Sequence, residues 1–171
     1  ISSYINLNEL FDGVATLVRQ TFDLYTVSIW MREKDRLKVK AVSSKVTLPP
    51  NYKAIGEIPI IRNEGILLRA FASRKPYLTN NVSKDPHFLS VDFMPDPESE
   101  LALPLIFRDE VLGVIDIQSD KQQAFNQEAV NTLRAVTNHL AITIHNASLY
   151  ESERLLREQE AEQAEMLRRL N

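Results

Sequence analysis

The chain has 171 residues, 44% of them apolar, with 4 glycines, 8 prolines and no cysteine. That length suits one domain with an extension, and the apolar fraction suffices for a core. Lack of cysteine excludes disulfides, thiolate metal sites, cysteine nucleophiles and thioether-linked cofactors, while a net charge of −3 gives no global attraction to nucleic acid or an anionic membrane.

No apolar run approaches the roughly 20 residues of a membrane span, and no signal peptide is visible. The expected location is the cytoplasm, with no membrane contact by this segment. The chain begins at Ile1 without Met and stops inside a helical pattern. It is expected to be a segment of a longer protein.

From Asn6 to Phe22, Leu7, Leu10, Phe11, Val14, Leu17 and Val18 recur at three and four, which predicts an amphipathic helix with one buried stripe. "YTVSIWMRE" (25–33) alternates, with Val27, Ile29 and Met31 on one face and Ser28 and Trp30 on the other. "RLKVKAVSS" (36–44) alternates too, with Leu37, Val39 and Ala41 opposing Lys38 and Lys40. Lys34-Asp35 between them predicts a hairpin.

The middle is irregular and proline-rich. "GILLRAFASRK" (65–75) predicts a short helix and "PYLTNNV" (76–82) a short strand. "SKDPHFLSVDFMPDPESE" (83–100) reads as a loop with at most one helical turn. Long loops in a compact domain tend to be functional or mobile.

"ELALPLIFRDEVLGVIDIQSD" (100–120) is a second hairpin, turning at Arg108-Asp109-Glu110. Along its second strand one face carries Val111, Gly113, Ile115 and Ile117, and the other Leu112, Val114, Asp116 and Gln118. A strand apolar on both faces is central and covered on both sides. The second face turns polar only at its end, which points to a polar cavity there.

After Pro104 no proline follows, and after Gly113 no glycine. Asn126 is a good N-cap, with Phe125 and Val130 at staple spacing. One helix of about 45 residues, on the order of 65 Å long, is predicted from there to Asn171. Val130, Leu133, Thr137, Leu140, Ala141 and Ile144 form its packing stripe. The remainder, "LYESERLLREQEAEQAEMLRRL", is too charged for a core. A seven-residue seam of Leu149, Leu156, Gln163 and Leu170, with Gln159 and Met166 between, predicts a coiled coil weakened by its two glutamines.

These residues resemble the GAF domain family. In Ser99–Glu151 the matching features are Ser99-Glu100-Leu101 before Pro104-Leu105, then Gly113-Val114, Ser119, and Phe125 before a long helix ending near Asn146-Ala147 and Leu149-Tyr150. Upstream, Gly65, Pro76, Asp85, Pro86 and Phe88 resemble the family's helix–strand–loop segment. The resemblance covers roughly Ile5 to Glu151.

It implies an α+β, PAS-related fold: a central antiparallel sheet, terminal helices on one face, and pocket-forming helices and loops on the other. Residues 1–150 are then the GAF domain and 151–171 a helical connector beginning a signalling coiled coil. The implied role is a non-catalytic sensory or regulatory module of a multidomain signal-transduction protein, such as a sensor histidine kinase of a two-component system. It would bind an unidentified small molecule and pair as a homodimer through its terminal helices, with Leu10, Val14, Leu149, Leu156, Met166 and Leu170 as candidate contacts. A covalently joined output domain would receive the signal. The alternative is a ligand-free dimerisation and spacer scaffold.

Candidate pocket residues are Trp30, His87, Phe93, Ser99, Asp116 and Gln118. Asp116 and Gln118 either contact ligand or satisfy loop backbone. Trp30 is a stacking platform or a core aromatic. His87 and Phe93 lie in the loop expected to roof the pocket, where a histidine is often simply solvated. His139 and His145 are six apart, on different helix faces, and are not a metal pair. Neither precedes an acidic residue as a histidine-kinase phosphoacceptor does.

Without cysteine, neither the cysteine-linked bilin branch nor the free-methionine-sulfoxide-reductase branch of the family is matched. Lys121, Phe125 and Glu128 only faintly echo the cyclic-nucleotide signature, at the wrong spacing. Haem ligation through His87 is not excluded, and the cofactor is unidentified. With no Gly-rich phosphate loop and no metal-ligand spacing, an enzyme is the weakest reading.

Overall fold

The computed structural model describes residues 6–171, the Ile55 side chain excepted. The first five residues of the domain expected over 1–150 therefore lie outside the described residues. Helix α1 (Leu7–Thr21) starts at Asn6, whose Oδ1 accepts from the backbone N–H groups of Asn8 at 2.9 Å and Glu9 at 3.3 Å. This satisfies two of the four donors a helix start leaves free. Phe11, Ala15 and Val18 form its buried line. Leu17, expected in the same stripe, is 64% exposed. At 100° per residue it lies about 120° round the helix from Phe11, beyond the reach of the sheet.

Strands β1 (Thr26–Glu33) and β2 (Arg36–Ser44) form the first hairpin. Its faces differ from the simple alternation. Ile29 pairs with Ala41 but Trp30 pairs with Val39, so an extra residue, Lys40, interrupts β2. Beyond this bulge the side chains swap faces. Ala41 joins the core under the terminal helices, while Val39 and Leu37 join the opposite one.

Two elements in the irregular middle carried no periodic signal: helix α2 (Tyr52–Ile55) and edge strand β3 (Glu57–Pro59). Helix α3 (Gly65–Ser73) and strand β4 (Tyr77–Thr79) follow, and 3₁₀ turns occupy 60–62 and 82–84. Strands β5 (Ser99–Phe107) and β6 (Glu110–Ser119) make the second hairpin. Both residues of its turn, Arg108 and Asp109, have positive φ, the type I′ geometry whose twist matches antiparallel strands.

The six strands form one antiparallel sheet ordered β3-β2-β1-β6-β5-β4. The centre of the sheet is therefore β1 and β6, drawn from different hairpins. Gly113 makes their contact possible: a Cβ there would sit 2.0 Å from the Trp30 carbonyl oxygen. One face packs Val27, Ile29, Leu101, Leu103, Ile115 and Ile117 against α1 and the first part of α4 (Gln127–Leu170). The other packs Trp30, Leu37, Val39, Ala102 and Val114 against α3.

Asn126 caps α4 by accepting from the Ala129 N–H at 2.8 Å. The six residues buried along α4 are Val130, Leu133, Thr137, Leu140, Ala141 and Ile144, matching the predicted stripe. His145 stacks on Phe107 with ring centroids 4.0 Å apart, whereas His139 is exposed. No residue after Ile144 is buried. Exposure of the large apolar residues from Leu149 on runs from 42% at Tyr150 to 76% at Leu170. No helix among the described residues is long and apolar enough to cross a membrane.

Candidate functional site

Alternation along the three central strands places a polar group on the sheet face away from the terminal helices. Asp116 and Gln118 on β6, Ser28 and Trp30 on β1, and Glu100 on β5 share it. The register sets Ser28 opposite Asp116, Thr26 opposite Gln118, and Gln118 opposite Glu100. Glu100 is 5% exposed and Asp116 7%.

Within this group Gln118 Nε2 donates to Asp116 Oδ2 at 3.2 Å, and Trp30 Nε1 donates to Ser28 Oγ at 2.8 Å. The other ends, Asp116 Oδ1 and Gln118 Oε1, are buried and receive no hydrogen bond. Buried polar atoms without partners are rare, because each has lost its water for nothing in return. Rotating the Gln118 amide would set its oxygen against the Asp116 carboxylate, so the amide is held as described.

Among the described residues no lysine, arginine or histidine forms an ion pair with Glu100 or Asp116. Burial pushes Glu100 well above the ordinary carboxyl range, and the charge and hydrogen bonding of Asp116 push it further. Burial raises Asp116 as well, against the opposing hydrogen bonds from Glu100 and Gln118. Two buried carboxyls this close retain a proton between them and titrate as a pair. Burial, then the charge of Asp116, carries the Tyr52 hydroxyl to about 12.

A roof covers the group. Tyr52 from α2 meets Phe93 of the long loop edge to face at 5.3 Å. The Tyr77 hydroxyl donates to both oxygens of Asp85, at 3.0 and 2.9 Å, and Asp85 Oδ1 also accepts the His87 backbone N–H. At the loop's other end the Tyr25 hydroxyl donates to the Pro95 carbonyl at 3.1 Å. The His87 ring lies edge-on to Tyr77 at 6.4 Å.

Of the residues singled out in the sequence, Trp30, Asp116 and Gln118 come together. Phe93 lies in the roof and is partly exposed, and His87 packs on Tyr77 to one side. Ser99 is placed elsewhere. It shares parity with Leu101 and Leu103, so it faces the terminal helices, fully buried, and donates to the Lys121 carbonyl at 2.6 Å. The same parity puts its neighbour Glu100 in the site. Glu100, Ser28 and Tyr52 were missed; strand alternation alone would have selected the first two. Tyr52 lies in a stretch without periodicity and had no such signal.

Among the described residues no cluster of three His, Cys, Asp or Glu side chains is arranged to hold a metal. An open depression of about 370 Å³ lies at the hairpin ends, beside Arg32, Phe71, Arg74, Arg108, Asp109 and Glu110. Its exposed charges are of both signs, and it contains no buried polar group.

Sheet order, helix-covered face and loop-roofed polar face together define an α+β domain with a two-sided antiparallel sheet. The GAF domain family model matches residues 6–144, and the chain belongs to that family of regulatory and sensory domains. The formate hydrogenlyase transcriptional activator FhlA of Escherichia coli is 24% identical over 163 residues, covering 92% of this chain and 23% of its own length. The chain thus spans about a quarter of that relative. Two solved structures show the same fold. The GAF domain of a phosphoenolpyruvate-protein phosphotransferase from Coxiella burnetii has a TM-score of 0.77 at 17% identity, covering 86% of this chain and 87% of its own. The free methionine-R-sulfoxide reductase of Thermoplasma acidophilum has a TM-score of 0.69 at 23% identity, covering 82% and 96%.

Proposed function

We propose that this chain is a non-catalytic sensory module that binds a small molecule between the sheet and the 85–98 loop. Binding would alter the packing of α1 and α4, and the exposed continuation of α4 would carry the change to an output domain. The observation carrying this reading is the buried Glu100–Asp116–Gln118 group, two of whose acceptors lack donors, beneath a roof held by a few hydrogen bonds. A purely structural sheet face would place apolar side chains there. Relay requires only that ligand favour one of two helix arrangements over the other.

The exposed Leu149, Leu156, Met166 and Leu170 support pairing of two copies through α4; Leu10 and Val14 of α1 are half-buried against their own core. Among possible outputs, transcriptional control has the support of the name of the E. coli relative. Likeness to methionine sulfoxide reductases supports the fold only: the chain has no cysteine to act as a reducing thiol.

Purified chain, denatured and its released small molecules identified by mass spectrometry, tests the reading. A stoichiometric compound lost in Asp116→Ala supports it. If none is released and no compound in a metabolite library raises the melting temperature, the spacer scaffold replaces it.

A further inference from the structure

Resting on that reading, we infer that the ligand is an organic cation, a protonated amine or amidine whose N–H groups meet the open acceptors of Asp116 and Gln118 beside Glu100. Every open position in the group is an acceptor. Apart from the carboxyl proton shared between Glu100 and Asp116, Asp116 Oδ1 and Gln118 Oε1 receive nothing, and the one N–H donor facing Asp116, Gln118 Nε2, is already engaged. The indole N–H of Trp30 is engaged by Ser28. A carboxylate or phosphate ligand would add acceptors to acceptors and negative charge to two buried carboxyls. Water would supply donors but no charge.

An ammonium or amidinium supplies donors and charge at once, in bonds stronger and shorter than neutral ones. The surroundings suit the rest of such a molecule. Trp30 and Tyr52 offer aromatic surface close to the carboxyls, favourable to a cation and to an apolar body.

Without ligand, a proton retained between Glu100 and Asp116 plays the cation's part, since two carboxyls hydrogen-bond to each other only when one is protonated. A bound ammonium takes its place, so binding releases a proton at any pH where the pair still holds one. The groups around the pair come from every neighbouring element. Tyr52 on α2 and Tyr77 on β4 stay neutral; Asp85 in the loop adds negative charge, and Arg69 on α3 acts on Tyr77. His87 sits against Tyr77. From β1 come only Ser28 and Trp30, which do not titrate.

The test is isothermal calorimetry on the full chain with phenethylamine, agmatine, cadaverine and benzamidine, against neutral alcohols and simple carboxylates of similar size. Each is run in phosphate and in HEPES, whose protonation heats differ. At least one amine is expected to bind with net proton release. Glu100→Gln and Asp116→Asn, which keep the shape, should each weaken it roughly 10- to 100-fold and abolish the release, while melting no lower than the parent. If a carboxylate or neutral compound binds instead, or both variants bind the amine unchanged, the cation assignment falls and small-molecule binding stands. If nothing in the panel or among co-purified metabolites binds, both fall.

Discussion

Glu100 and Asp116 lie diagonally across the β5–β6 pair, Glu100 opposite Gln118 and Asp116 opposite Ala102, so two carboxyls share one buried surface without a cation. Their raised pKa values make folding bind protons, and stability should fall as pH rises. The contribution is complete below the ordinary values of 4.5 and 3.8 and is lost as pH climbs through the raised folded values. Exposed Asp23 and Glu33, lowered by their lysine partners, act in the opposite direction below about pH 4.5 and count for little. The melting temperature is therefore expected to drop from pH 5.5 to pH 8, and Glu100→Gln to flatten the drop. An equally steep profile in that variant would show that the pair is not its source.

The backbone contact at Gly113 holds the two hairpins together. With a Cβ 2.0 Å from the Trp30 carbonyl, Gly113→Ala must part β1 from β6 and shift Trp30 in the site. Overpacking of this kind costs about 1–3 kcal/mol. Urea unfolding should report a loss at the upper end of that range, together with altered tryptophan fluorescence from the chain's one Trp.

Ser99→Ala separates fold from site. It removes a buried donor to the Lys121 carbonyl at 2.6 Å on the helix-covered face. Stability should decrease by about 1–2 kcal/mol, while affinity for any ligand of the opposite face stays the same. A selective loss of affinity would return Ser99 to the site.

Roof opening can be tested through Tyr77. Removing its hydroxyl in Tyr77→Phe deprives Asp85 of its side-chain donor at the start of the loop. Amide exchange over residues 85–94 should accelerate several-fold with little change in the sheet strands, as expected for local opening. Unchanged exchange would mean that other contacts hold the roof.

Cutting the chain after Tyr150 should leave the melting temperature within a few degrees of the parent, since nothing beyond Ile144 is buried. It should also weaken self-association measured by sedimentation. An equally tight dimer would move the pairing to α1 and the start of α4.

Legibility followed periodicity. The stripe of α4 matched residue for residue, because a regular helix against a flat sheet converts spacing directly into burial. On β6 the two faces were readable from Gly113 onward, and they exposed Asp116 and Gln118, whereas a bulge at Leu112 packs that residue with the core opposite Val114. Ala41, expected beside Leu37 and Val39, and Ser99 went astray for different causes. One extra residue, Lys40, reversed the parity of β2, and Ser99 was chosen for its motif although its alternation with Leu101 placed it on the other face.

By itself, then, the sequence determined the family, the hairpins, the long C-terminal helix and one wall of the site, all of which depend on neighbours within a few residues. Tertiary structure alone decided that β1 and β6 would meet at the centre, that Glu100 would come to rest beside Asp116, and that Tyr52 would close over both. Those juxtapositions join residues tens of positions apart. They are set by close packing at Gly113, a bulge, and a roof loop tied at Asp85 and Pro95. Local periodicity carries no record of such distant contacts, because each depends on where the rest of the chain has already gone.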